Sequence, residues 1–283
     1  YSDSDIQRLL WVKAKTEEGM QVRQAVRALR ALEEENAFPE PMTGEGVLVS
    51  GPNRLAREES DVADTYIARL QSRLYDALVH HDTARADEIF GEALALYPPE
   101  SVMLQMIRPT LWEIGEGWER EEVSIGTEHL ATSYLRQRML AWLTSGPPLF
   151  AVAPTVLACA PGEYHEGSLM MLGALLRRRR WPVAYLGQSI PLADLAEFAQ
   201  RTNPLAIVTV AMSAESAAAL ASWPQHFPEA AQKGRPVFAY GGLIFNENPE
   251  WRVKVQGLFL GATVGEGVET LERTLRRISP PLA

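Results

Sequence analysis

The chain has 283 residues, 46% of them hydrophobic and 22% charged, with a formal net charge of -9. That length allows two domains, each with a core of its own, and the composition is that of an ordinary soluble globular protein. The acidic balance supplies no basic nucleic-acid surface, and no apolar run reaches the roughly 18 residues of a membrane helix.

The start, Tyr1-Ser-Asp-Ser-Asp, is polar and acidic, unlike a secretory signal, and begins without Met, which suggests a processed chain or a fragment. Cys159 is the sole cysteine, so an internal disulfide is excluded and a reducing, cytoplasmic setting is expected. It lies in an apolar run, where a small core residue is expected rather than a nucleophile.

Residues 4–35 carry helical spacing, with Ser4 or Asp3 as cap, Gly19 as a break and Val22, Ala25, Val26 and Leu29 on one face. By periodicity this is a helical hairpin. The pattern Tyr1-Ser-x-x-Asp5-Ile6-x-Arg8-Leu9, followed by Gly19-Met20 and Ala25, resembles the back end of a MerR-type winged-helix DNA-binding domain. That resemblance implies promoter DNA as a partner and puts the helix-turn-helix upstream of Tyr1. Residues 36–60, with Pro39, Pro41, Gly44, Gly46, Gly51 and Pro52, read as a linker.

Residues 61–146 predict four helices near 61–80, 83–96, 99–119 and 124–144, joined by short loops as in an antiparallel bundle. Pro109 falls inside the third helix and predicts a kink. After Gly146-Pro-Pro148 the texture changes, and residues 150–283 form a second domain. Strands are expected at 154–160, 182–186, 205–211, 235–240 and 257–261. Helices are expected at 166–180, 192–202, 214–222, 248–254 and 266–278. This alternation predicts a Rossmann-like, doubly wound parallel five-stranded sheet, so the fold class is α plus α/β.

Ligands bind outside the carboxyl ends of such strands. The loops placed there contain Gly162 to Gly167, Gly187 to Pro191, Met212 to Ser216, Gly241-Gly242 and Gly261 to Gly267. Their glycines and small hydroxyl residues admit a large planar or phosphate-bearing ligand close to the backbone. Neither a GxGxxG after the first strand nor a P-loop is present, and dinucleotide binding is not indicated. His165 opens the helix after the first strand, with Glu163 two residues before it. It reads either as a metal ligand whose second ring nitrogen is held by Glu163, or as a helix-start histidine beside glutamates that favour the helix dipole. Arg177 to Arg180 are expected to complement the far end of that helix and to face solvent.

Glu163-x-His165, Ser213 near the third strand's end and Gly241-Gly242 after the fourth resemble the cobalamin-binding domain of the methionine-synthase type. The resemblance implies His165 as lower cobalt ligand with the cofactor's own base displaced, and Glu163 as its hydrogen-bond partner. Gly187, Ser213, Gly241 and Gly242 would contact the cofactor, the last two lining the channel of its nucleotide tail. The family's serine has three candidates here, Thr209, Ser213 and Ser216. Its glycine three places after the histidine is Ser168 in this chain, with Gly167 one place early.

Gly115-Glu-Gly-Trp118 is followed ten residues later by Glu128-His129. By themselves these residues read as core packing and a capped helix. With the domain order they resemble the light-sensing, cobalamin-dependent repressors of the CarH/LitR type. That resemblance implies Trp118, Glu128 and His129 over the cofactor's upper face, a dimer or tetramer that changes with light, and no catalytic turnover. The family histidine directly after the tryptophan is Glu119 here, a poorer soft-metal ligand. The upper ligand, and the choice between adenosylcobalamin, another cobalamin form and a bilin or haem, alone or beside cobalamin, therefore stay open. The other readings are a corrinoid carrier for a methyltransferase and an α/β enzyme, for which no nucleophile–base pair is apparent.

Overall fold

The computed structural model describes residues 52–280 together with positions 11, 12 and 29. The expected MerR-like segment, residues 1–35, lies otherwise outside the described residues. Among those described, no helix is long and apolar enough to cross a membrane. The chain divides into two compact units, residues 1–132 and 133–283.

The first unit is built from α1 (Pro52–Val79), α2 (Thr83–Leu96), α3 (Pro99–Ser101), a π-helical stretch (Val102–Ile107) and α4 (Arg108–Glu119). It ends within α5 (Ile125–Thr144). Helix α1 starts inside the segment expected to be linker. Pro52 suits the first position of a helix, where its missing N–H costs nothing, and the Arg-, Glu- and Ala-rich residues after it propagate the helix. Buried Ile67, Leu70, Leu74 and Leu78 form its inner stripe, and α2 contributes Ile89, Phe90 and Ala93. Asp82 caps α2 by accepting from the Arg85 amide at 2.9 Å. The expected kink at Pro109 takes a specific form: the turn before it widens into the π stretch, which brings Val102, Met103, Met106 and Ile107 inward. A wider turn relieves the clash of the proline ring with the preceding turn.

The second unit carries the sheet. Its strands are β1 (Thr155–Cys159), β2 (Val183–Gly187), β3 (Ala206–Val210), β4 (Val237–Gly241) and β5 (Leu258–Phe259). All pairings are parallel and the order is β2-β1-β3-β4-β5. The order reverses between β1 and β3, so the topological switch point lies where His165 was placed by sequence. β1 and β3 are buried at every position, as expected of strands covered on both faces.

The helices of this unit are α6 (Gly167–Arg178), α7 (Leu192–Thr202), α8 (Ala214–Ala221), α9 (Trp223–His226) and α10 (Pro228–Lys233). α11 (Leu243–Glu247), α12 (Trp251–Lys254) and α13 (Val264–Ile278) follow. The expected helix 248–254 is replaced by α11 and α12, with Pro249 between them, and α9 and α10 were not foreseen. Both irregular regions are punctuated by prolines, which break the helical period on which a sequence reading depends. One sheet face packs Val156, Ala158, Ile207, Phe238 and Tyr240 against Leu195, Leu220, Trp223 and Phe245.

The arginine run lies at the end of α6 with its side chains at least partly exposed, and it also makes specific contacts. Arg177 donates to the carbonyls of Pro147 and Gly146, Arg180 donates to that of Pro148, and Arg179 pairs with Glu272 of α13 at 2.8 Å. The two arginines at the linker thus hold the segment between α5 and β1 against the end of α6. Carbonyls of a proline-containing segment lack regular ladder partners, and guanidinium donors satisfy them.

Gly173 of α6 permits close packing, because a Cβ there meets Leu143 Cδ2 and Leu157 Cδ1 at 2.7 Å. Gly91 of α2 has no atom within 4 Å of such a Cβ. In urea titrations Gly173→Val is expected to destabilise by about 1–3 kcal/mol through overpacking. Gly91→Ala is expected to stabilise by about 0.5–1 kcal/mol, by lowering the backbone entropy of the unfolded chain.

Candidate functional site

The site at the switch point is built around a buried carboxylate. Glu163 follows β1, is 3% exposed and accepts hydrogen bonds at both oxygens. Its Oε1 accepts from the amides of Tyr164 and His165, each at 2.9 Å, and lies 2.7 Å from His165 Nδ1. Its Oε2 accepts from the Met212 amide at 2.7 Å and from Ser216 Oγ at 3.1 Å. Burial raises the carboxyl pKa, but the bonds from His165, Met212 and Ser216 outweigh it and hold the group down at about 2. An ionised carboxylate takes only donors, so Nδ1 carries a proton and Nε2 is the lone-pair nitrogen of the neutral ring. The His165 side chain is 79% exposed, outside the core. This is the arrangement expected of a metal-binding imidazole with an oriented tautomer.

The sequence placed three hydroxyl residues near the end of β3, and the structure gives each a different environment. Ser216 reaches Glu163. Ser213 caps α8 and exchanges a reciprocal capping box with Ser216. Thr209 is 1% exposed, and its Oγ1 makes no hydrogen bond within the protein. In register Thr209 lies beside Tyr240, next to Gly241. A buried hydroxyl without a partner is rare and marks a place where a ligand atom or water completes the set.

The glycines differ as well. A Cβ on Gly242 falls 1.9 Å from the Ala211 carbonyl, at φ +123°, so this position accepts no side chain. Gly241 faces open space, with nothing within 4 Å. Gly187 ends β2 with φ +84°, beside the Glu166 carboxylate. The orphan hydroxyl, the open glycine and the oriented imidazole fit a large cofactor whose metal brings most of its own ligands. Among the described residues no group of three or more His, Cys, Asp or Glu side chains is arranged around a free ion.

Two family models, each described as a B12 binding domain, match this chain, one over residues 70–141 and the other over residues 153–275. The HTH-type transcriptional repressor CarH of Myxococcus xanthus is 29% identical over 243 residues, 85% of this chain and 76% of that protein. Together these matches support a cobalamin-binding regulator of the CarH type. A second relative is the HTH-type transcriptional repressor CarA of Myxococcus xanthus, 27% identical over 62% of this chain and 68% of its own length. The solved monomethylamine corrinoid protein of Methanosarcina barkeri shares the fold, with TM-score 0.57 and 16% identity. It covers 72% of this chain and 98% of its own.

Within the CarH-type bundle unit, Trp118 is 48% exposed, which rules out the core-packing alternative for it. Glu128 repeats the carboxylate–imidazole pairing, with His129 Nδ1 at 2.6 Å and a second bond from Thr132 Oγ1 at 2.8 Å. The His129 side chain is 75% exposed, so its ring is held from behind and presented outward. Glu119 is exposed and does not incur the cost of a buried carboxylate.

Sequence reasoning missed Glu166. It is 4% exposed and accepts from Arg136 Nε at 2.6 Å and from the Tyr185 hydroxyl. The sequence reading left it as a helix-dipole residue, because its partners lie 30 and 19 positions away. Burial, then the bond to Glu166, pushes the Tyr185 phenol upward. Cys159, 1% exposed, has its thiol pushed up to about 12 by burial and by Glu166 and Glu163, in keeping with a core role.

Glu163 binds fewer protons folded than unfolded. Its contribution is complete above pH about 4.5 and is lost as pH falls toward 2. Denaturation between pH 6 and 2 is expected to show about 3 kcal/mol of acid-labile stability that Glu163→Gln lacks. An identical pH slope in the two proteins would remove the carboxylate from this role.

Proposed function

We propose that this chain binds cobalamin with the cobalt on Nε2 of His165 and uses it as the sensory element of a transcriptional regulator. The observation that carries the reading is the Glu163–His165 pair. A buried, ionised carboxylate fixes the imidazole tautomer and is itself fixed by Met212 and Ser216. Thr209, with its unpartnered hydroxyl, and Gly241, with open space at its Cα, are assigned to the nucleotide tail; Gly242 shapes the turn. Ser213 acts through the cap that orients Ser216. Gly187 supplies a left-handed turn at the mouth of β2.

When bound, an alkylcobalamin supplies a light-sensitive cobalt–carbon bond. Trp118, Glu128 and His129 are assigned to the upper face, and promoter contact is assigned to a MerR-like N-terminal domain. Light is proposed to change oligomeric state and DNA binding. Such a switch requires contacts that differ in free energy between two states, and outward-facing Trp118 and His129 are the groups assigned to that difference. With the family histidine exchanged for Glu119, His129 is the imidazole assigned to the upper face. No turnover is assigned.

Absorption spectra of protein purified with adenosylcobalamin, recorded before and after green light, test this reading. Wild type is expected to retain a corrinoid with a histidine-ligated spectrum that changes on illumination, and His165→Ala is expected to lose that ligation. Absence of corrinoid from wild type overturns the assignment, and a bound but light-inert corrinoid favours a carrier. Gly241→Val is expected to fold normally and to bind cobalamin about tenfold more weakly or worse, about 1.4 kcal/mol, in equilibrium dialysis.

A further inference from the structure

Helix α6, which begins two residues after His165, is held along its length by α5 and the segment that follows it. At its start Glu166 pairs with Arg136. At its middle Gly173 lies under Leu143. At its end Arg177 donates to the carbonyls of Gly146 and Pro147. The contacts advance together along both segments, so the C-terminal half of α5 runs parallel to α6.

The first of these contacts differs from the others in kind. The Glu166 carboxylate is buried while the Arg136 side chain is 45% exposed, so the cation reaches inward to an anion that the fold has already desolvated. A carboxylate in that position needs its donors, and they come from two elements, Arg136 on α5 and Tyr185 on β2. His165 thus sits between two anchored carboxylates. Glu163 ties it to the start of α8 and Glu166 ties it to β2 and α5.

We propose that Arg136 is a positioning residue for His165, acting through Glu166 to fix the turn 161–166 to helix α5. The proposal rests on the assignment of His165 as the cobalt ligand. A displacement of the C-terminal half of α5 then reaches the ligand turn through this ion pair.

Hydrogen exchange on the full chain without cofactor tests the tie independently of cobalamin. In Arg136→Ala the amides of residues 163–168 are expected to exchange about tenfold faster or more, with β1 and β3 unchanged. Tyr185→Phe, which removes the other donor, is expected to loosen the same segment, and Arg136→Lys to restore part of the protection. Unchanged exchange at 163–168, or equal loosening of β1 and β3, overturns the proposal. The second arm is electron paramagnetic resonance of bound cob(II)alamin in protein labelled with 15N-histidine, in which a histidine ligand shows as a doublet superhyperfine splitting and the cofactor's own base as a triplet. Wild type is expected to show one histidine-ligated species, and Arg136→Ala a mixture with unligated cobalt. A single histidine-ligated species in Arg136→Ala overturns the positioning role. Absence of the doublet in wild type overturns the His165 assignment itself, even where the exchange result stands.

Discussion

The ligand end of this protein depends on one buried anion. The Glu163 carboxylate is removed from water at the carboxyl end of β1, and five hydrogen bonds replace its hydration. Three come from its own turn, one from the loop after β3 and one from the first turn of α8. That division is a consequence of parallel topology. Because the strand order reverses between β1 and β3, the loops after these two strands leave the sheet side by side, and a side chain on one meets amides of the other. The carboxylate turns a generic crevice into a directional one, since it dictates which imidazole nitrogen keeps its proton.

Glu166 applies the same physics three residues later and in another direction. Its partners are an arginine from α5 and a tyrosine from β2, so the turn is held from both sides. In both cases a buried carboxylate is tolerated because geometry supplies donors at short range, and for Glu163 those donors outweigh the burial that raises its pKa. The neighbouring thiol of Cys159 responds to these anions and to burial by staying protonated.

The bundle unit obeys different constraints. Its core is an ordinary helical stripe, but Trp118 and His129 lie outside it, and the Glu128 carboxylate holds the His129 ring by Nδ1. The π stretch before Pro109 shows how the third helix keeps its apolar side chains inward despite a residue that cannot continue a regular hydrogen-bond ladder.

Much of this was legible in the residues. Alternating apolar runs and helical periods dictated a five-stranded parallel sheet after a helical bundle, because burial on both faces demands continuous apolar strands. Glu163-x-His165 was legible because its partners are two residues apart, within reach of one turn. The choice of Ser216 over Ser213 and Thr209, the pairing of Glu166 with Arg136, and the capture of Gly146 to Pro148 by Arg177 and Arg180 were not. Each joins residues brought together by strand order or helix packing, and no local period records such distances. Sequence by itself determined which groups carry charge and where the chain turns. Tertiary structure decided which of those charges lost their water, and therefore which ones had to find each other.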